Sequence, residues 1–317
     1  MNQSQKFIEA LENNDIALLR TISKTDFHNH FFFGTRRRNI EQWADCSIPP
    51  PPKTFKTLDE MFFYANNTFV PYISSQEGID FMLSSAIRDA IDDGVTLLEM
   101  SIDSRIISLL PSKISGLISS LRDLQSRNKH LITLRPELGI SRDHVFKEIQ
   151  PVAKACIESG IFSSIDLYGN EHAQIPETYK TLYADAKRSG MKLKAHVGEF
   201  GTAESIRHTV EVLELDEVQH GITASGSVDI MKWLAQNKIR LNVCPTSNVM
   251  LSRVSKMQNH PIRILHDQGI PVTVNTDDLS IFDQSVSEEY LNLFQEGVLN
   301  ANELDYIRQR SLIGLEE

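Results

Sequence analysis

From Val95 onward, strand-like apolar runs and amphipathic helical runs alternate without a break, and this alternation limits the fold more than any other feature of the chain. Strands are predicted at Val95–Ile102, His130–Arg135, Ile161–Tyr168, Lys192–His196, Glu217–His220, Arg240–Cys244 and Pro271–Asn275. Helical spacing fills the gaps, at about 107–128, 142–159, 177–189, 202–213, 228–236 and 261–267. Ser159-Gly160, Ser189-Gly190 and Gln268-Gly269 supply helix stops before the next strand. One further strand, Lys24 to Asn29, precedes the series. A parallel pair needs a crossover, so eight strand-then-helix units make a parallel sheet. Eight such units suggest an α/β fold of the (β/α)8 TIM-barrel type, and 317 residues suit that fold with insertions. An open doubly wound sheet would place a glycine-rich turn after the first strand, where this chain has Phe31-Phe-Phe-Gly34.

Extra helices are expected after the first strand and at both termini. Roughly sixty residues separate the first two strands, far more than the ~2–6 of an ordinary connection. They include the stiff run Pro49–Pro52 and the aromatics Phe55, Phe62, Phe63, Tyr64, Phe69 and Tyr72. Residues 35–90 thus read as a helical excursion with its own small core, placed where it can cover a site as a lid. Helical spacing recurs over residues 3–23 and 287–317. There is no repeat, low-complexity tract or linker, so residues 1–317 are expected to form one domain.

The net charge of -10, with no basic run beyond Arg36-Arg37-Arg38, argues against nucleic acid or anionic membrane as partner. The N-terminus lacks a signal-type apolar core, and no run approaches the ~20 residues of a membrane span. Cys46, Cys156 and Cys244 are widely spaced, as in a reducing compartment. A cytoplasmic protein acting on a small molecule is expected. No feature points to a protein partner.

In such a barrel the C-terminal strand ends share one mouth, so residues there meet whatever their separation in sequence. The first strand ends in His28-Asn-His30, whose imidazoles share one face of the strand. Later ends offer Asp166-Leu-Tyr-Gly-Asn-Glu171, His196-Val-Gly-Glu199, His220-Gly221, Pro245-Thr-Ser-Asn248 and Asn275-Thr-Asp-Asp278. Four of the ten histidines fall at these ends; His130, His144, His172, His208, His260 and His266 form no comparable set. Imidazole nitrogens with a carboxylate suit a divalent ion, zinc first. His28, His30, His196 and Asp277 are the candidate ligands. Glu199 and His220 remain as groups able to move protons.

Taken together and in this order, His-x-His, Asp-Leu-x-Gly-Asn-Glu, His-x-Gly-Glu, His-Gly, Cys-Pro-Thr-Ser-Asn and Asn-Thr-Asp-Asp resemble the adenosine deaminase family of metal-dependent amidohydrolases, over Thr25 to Asp278. The resemblance implies a (β/α)8 fold, one zinc ion per chain and hydrolytic removal of ammonia from position 6 of an aminopurine. It casts Glu199 as the acid that protonates ring N1. His220 and Asp277 become the pair that orients and deprotonates the attacking water. Asp278 would contact N7, the Gly169 N–H would meet N3, and His30 would lie beside the substrate. Asp166 and Glu171 read as supports for neighbouring groups or as a helix start, outside the catalytic set, and Cys244–Asn248 as scaffolding.

The chain departs from the family pattern after His30. The family has an acid and then glycine there, for the ribose 5′-hydroxyl; here Phe31-Phe-Phe intervenes and Gly34 comes one residue late. A more apolar sugar end is expected. Arg36–Arg38 read as a solvated loop or a contact to a nucleotide phosphate. Adenosine or deoxyadenosine is the first substrate expectation, with adenine, N6-substituted adenine compounds and adenine nucleotides as alternatives. A purine-binding homologue without activity would be expected to lack one of these groups, and none is missing. A two-metal hydrolase would need a bridging group such as a lysine on the fourth strand, where only Asp166 is available.

Overall fold

The computed structural model describes residues 2–109 and 113–313. Its eight strands are β1 (Lys24–His30), β2 (Val95–Asp103), β3 (Thr133–Ser141), β4 (Ser164–Tyr168), β5 (Lys192–Val197), β6 (Glu217–His220), β7 (Arg240–Val243) and β8 (Val272–Val274). Each pairs in parallel with the next, in sequential order, and helices lie between them. The sheet curls into the expected (β/α)8 barrel. The seam between β8 and β1 is short. There the Asp277 N–H donates to the His28 carbonyl at 2.9 Å, and the Phe27 N–H donates to the Asn275 side chain at 2.8 Å.

Strand boundaries shift by one to three residues in β1, β2, β4, β5, β7 and β8, and by more in β3. The third strand runs Thr133–Ser141 rather than His130–Arg135, passing straight through Pro136. Proline reads as a breaker because it cannot donate to a ladder, but the Pro136 carbonyl still accepts from the Ser163 N–H at 2.8 Å. Leu138 and Ile140 beyond it are fully buried. The following helix accordingly starts later, at Phe146. After β2, a 3-10 segment (Ser104–Leu109) precedes the helix Lys113–Asn128; residues 110–112 of the expected helix lie outside the described residues.

The excursion after β1 forms the helices Arg37–Ala44, Leu58–Thr68, Val70–Ile73 and Gln76–Asp92. It is pinned to the loop after β7: the Phe55 N–H donates to Met250 O at 2.6 Å, and Ser252 Oγ donates to Phe55 O at 2.7 Å. It therefore spans the C-terminal mouth of the barrel. Near the other end the terminal helices Gln3–Glu12 and Ala301–Leu312 meet. The Arg308 guanidinium lies over the Phe7 ring at 5.0 Å and donates to Ser23 O at 3.0 Å. Of the expected C-terminal helical region, residues 314–317 lie outside the described residues. Among the described residues no helix is long and apolar enough to cross a membrane.

The barrel interior is not wholly apolar. Lys194 of β5 is fully buried, paired with Glu99 and Glu137, and donates to the Phe27 carbonyl of β1 at 3.1 Å. Glu217 lies 3.8 Å away. Those carboxylates outweigh desolvation and hold the ammonium charged. Truncating one member would strand the others' charges, a loss of about 3–5 kcal/mol for a buried pair. This layer ties β1, β2, β3 and β5 together close to His28 and His196.

Candidate active site

The strand ends converge as the sequence led us to expect. His28 and His30 leave β1, His196 ends β5, His220 ends β6, and Asp277 follows β8. The ring nitrogens of His28, His30 and His196 lie within 4.8 Å of one another. Asp277 Oδ1 lies 3.4 Å from His30 Nε2 and 3.7 Å from His28 Nε2. Donors about 2.1 Å from a shared ion would stand roughly 3.4 Å apart at the corners of a tetrahedron. His28 Nε2 is buried and has no hydrogen-bond partner. Such an orphan is costly to leave unmet, and a cation among these donors would meet it.

The supports turn the free nitrogens toward that point. His28 Nδ1 faces the Asn242 carbonyl at 3.3 Å, and His196 Nδ1 faces the Asp166 carboxylate at 3.0 Å. Each partner takes Nδ1–H and leaves Nε2 unprotonated, the usual orienting arrangement around a metal site. Burial and the neighbouring imidazoles hold His28 and His196 well below the ordinary histidine range, and burial lowers His30, so all three are neutral ligands. Burial raises the Asp277 carboxyl to about 7. A divalent cation beside it would reverse that balance and keep it ionised. Ser247 Oγ donates to Asp277 Oδ2 at 2.7 Å.

Glu199 is carried on a loop shaped by Glu171. That carboxylate accepts from the N–H groups of Gly198, Glu199 and Phe200 at 2.8, 2.9 and 2.7 Å. Gly198 has φ +75, and a Cβ there would sit 2.4 Å from Ile206 Cδ1, so the turn requires glycine. The Glu199 side chain is almost fully buried, 3.5 Å from His220 Nε2. Burial, reinforced by the charges of Asp277 and Glu171, pushes its carboxyl well above the usual range. His220 Nε2 also lies 3.7 Å from Asp277 Oδ2. Both His220 and Asp277 are held at positive φ, 63 and 61, a conformation that costs a non-glycine residue about 1–3 kcal/mol and clusters at functional sites.

These groups line the inner end of a cavity of about 630 Å³ that also includes Gly169 and Asp278. Burial and the adjacent Asp277 raise the Asp278 carboxyl well above its ordinary range. The outer wall combines Phe31, Phe32 and Phe33 with Leu58, Met61 and Phe62 of the excursion. The excursion therefore roofs the site, as a lid would. Arg36 turns away, donating to Asp283 at 2.8 Å and Glu288 at 2.6 Å, and none of Arg36–Arg38 lines the cavity. The phosphate contact considered for that triplet is not formed here.

Sequence reasoning missed a second group of wall residues: Ser101, Asp103 and Arg105 at the end of β2, and Ser141, Asp143 and His144 at the end of β3. Ser101-Ile-Asp103 repeats the one-face spacing of His28-Asn-His30 and could have been found by it. The β3 group was hidden by the misplaced strand end. Asp166 and Glu171, set aside as supports, do act on His196 and on the Glu199 loop.

Comparison with known proteins shows the family and the fold. A Treponema pallidum (strain Nichols) protein assigned as adenosine/adenine deaminase is 36% identical over 280 residues, covering 88% of this chain and 94% of the relative. The adenine deaminase of Arthrobacter aurescens superposes with a TM-score of 0.80 at 20% identity, over 93% of this chain and 94% of that one. An amidohydrolase from Burkholderia ambifaria, solved with bound Zn, gives 0.76 at 19% identity, over 93% and 85%. At those identities the two structures bear on the fold alone. The sequence profile described as adenosine deaminase matches residues 55–313, and the chain belongs to that family.

Proposed function

We propose that this chain hydrolyses the exocyclic amine of a 6-aminopurine nucleoside, adenosine or deoxyadenosine, to the 6-oxo product and ammonia. The family consists of hydrolases acting on C–N bonds, and this chain is one of them. The carrying observation is a buried Glu199 set beside His220 and Asp277 at the inner end of one cavity.

His28, His30, His196 and Asp277 would hold one zinc ion, a choice supported by three neutral imidazoles and a carboxylate. When bound, zinc lowers the pKa of its water from about 15.7 to about 7 and so supplies a nucleophile at neutral pH. The protein's groups account for the rest. C6 of an aminopurine is a poor electrophile until the adjacent ring nitrogen is protonated. Glu199 delivers its proton to N1 and localises the C=N bond at C6. Asp277 takes one proton of the attacking water, which His220 holds in line, and gives it to the exocyclic amine as the C6–N6 bond breaks; the hydroxyl left on C6 returns its proton to Glu199 as the 6-oxo group forms. Asp278, in a burial that favours a proton-bearing carboxyl, would meet N7, while the Gly169 N–H would face N3. Gly169 has φ +94, and a Cβ there would sit 2.3 Å from Asp143 Oδ2, which supports a role for its bare backbone. General acid–base help of this kind is worth about 10²–10⁴-fold.

The cavity wall speaks to the group on N9. Asp59, Asp103 and Asp143 line it, and Arg105 is the one Lys or Arg among the described lining residues, paired with Asp103. Carboxylates accept hydrogen bonds from sugar hydroxyls and repel a phosphate. A nucleoside is therefore preferred over a nucleotide. The three phenylalanines after β1 favour one second reading, adenine without its sugar. Residues 1–317 are taken as one working unit, because a single buried cluster runs from Phe7 to Ile307. Ammonia release from adenine, adenosine, deoxyadenosine, AMP and their N6-methyl analogues tests the proposal. Preference for AMP would overturn the N9 reading, and no release from any of them would overturn the function.

A further inference from the structure

We propose that Asn248 and His260 form a directional hydrogen-bond relay that fixes which nitrogen of His220 and which oxygen of Glu199 carries the proton. The relay's value to catalysis rests on the deaminase reading above; its direction does not.

The direction starts from a backbone amide. The Ile262 N–H points at His260 Nδ1, 3.1 Å away. A backbone N–H can only donate, so Nδ1 is the bare nitrogen, and a neutral imidazole then carries its hydrogen on Nε2. His260 is 2% exposed. Burial lowers its pKa to about 3, so it stays neutral over the working range. Its Nε2–H faces Asn248 Oδ1 at 3.2 Å. The orientation of the Asn248 amide, which electron density alone would not decide, follows from that contact. Its NH₂ must face the other way, where two acceptors wait: His220 Nδ1 at 3.1 Å and Glu199 Oε1 at 3.3 Å.

Both contacts carry information. Because His220 Nδ1 accepts, the His220 hydrogen sits on Nε2, the nitrogen that faces Glu199 Oε2 and Asp277 Oδ2 at 3.5 and 3.7 Å. Because Glu199 Oε1 accepts, any proton that this carboxyl carries is directed to Oε2. One amide thereby sets two protons at once. Asn248 is fully buried, so water cannot replace either partner. Reversing the amide would set its NH₂ against the His260 Nε2–H and its carbonyl against His220 Nδ1, leaving several buried polar atoms unmet. Neither Asn248 nor His260 is among the candidate ligands or the cavity lining. They are positioning residues, reached through the Cys-Pro-Thr-Ser-Asn motif and a histidine that the strand-end reasoning set aside.

The test uses the full chain labelled with ¹⁵N-histidine, zinc-loaded and metal-free, and long-range ¹H–¹⁵N correlation spectra. In the wild type, His260 and His220 should each show a protonated Nε2 and an unprotonated Nδ1. Asn248→Asp can only accept, so it should move the His220 hydrogen to Nδ1. His260→Leu should let His220 sample both tautomers and lower kcat roughly 2–10-fold, the loss expected for a hydrogen bond between neutral partners. KM should change little. His260→Gln places an amide N–H near the lost Nε2–H and should restore both the tautomer and most of kcat. Thermal midpoints and inosine binding separate these effects from misfolding. Should His260→Leu fail to fold, the wild-type, Asn248→Asp and His260→Gln spectra decide the matter. A wild-type His220 protonated on Nδ1 would overturn the relay, as would an unchanged tautomer in Asn248→Asp. A correct tautomer in a chain that releases no ammonia would sink the deaminase reading and leave the relay standing.

Discussion

Replacing Glu199 by Gln exchanges the acidic O–H for an amide of nearly the same shape. The carbonyl of the new side chain can still accept from Asn248 Nδ2, 3.3 Å from Glu199 Oε1 in the wild type. The Glu171 cradle on the loop backbone is untouched, since it involves main-chain N–H groups only. What disappears is a proton that can be given to N1. The resulting loss in kcat is about 10²–10⁴-fold, or about 2.7–5.4 kcal/mol of barrier at 1.36 kcal/mol per tenfold. Stability should not fall, because a neutral amide replaces a carboxyl whose charged form burial disfavours. Initial rates of ammonia release give kcat and KM, titration calorimetry gives inosine affinity, and a melt gives the midpoint. Retained inosine binding with lost turnover is the expected pattern. Near-wild-type turnover in a folded Glu199→Gln chain would refute the proton-donor role and with it the mechanism.

Asp277→Ala removes a carboxylate 3.4 Å from His30 Nε2; elemental analysis should find the zinc content reduced and activity lost, and full zinc occupancy would contradict the ligand assignment. Glu289 is fully buried, accepts from the Thr246 N–H at 3.0 Å and has a carboxyl raised to about 8. The folded chain therefore holds this proton where the unfolded chain, at the ordinary glutamate value of 4.5, has lost it. Stability carried by the protonated form is complete below pH ~4.5 and is lost as pH rises to ~8. Glu289→Gln should flatten the fall in denaturation midpoint across that window, and an unchanged slope would count against a protonated Glu289.

Much of the barrel was legible because its signals are local. Strand-to-helix alternation, glycine stops and strand-end histidines each depend on a few neighbouring residues. The convergence of His28 with Asp277 followed from the fold alone. What escaped depended on contacts that spacing cannot encode. Pro136 looked like a strand end, yet its carbonyl keeps the ladder going and only its missing N–H is lost. That misreading hid Ser141, Asp143 and His144 from the cavity wall. His260 was set aside with the histidines away from the strand ends, because nothing in the sequence says that its Nε2 meets Asn248. Arg36–Arg38 invited an anion reading that the acids of distant Asp283 and Glu288 had already claimed for Arg36.

The short seam of the barrel has a consequence for assembly. The amide of Asp277 clips onto His28 O, so the first and last staves of the barrel are fastened by residues that also offer their side chains to the ion. An ion bound there would rivet chain segments almost 250 positions apart and favour the closed form by mass action. A chain cut before β8 would lose the clasp and the metal site in one stroke. Added zinc should therefore raise the melting midpoint of the intact chain and leave that of the truncated one where it was.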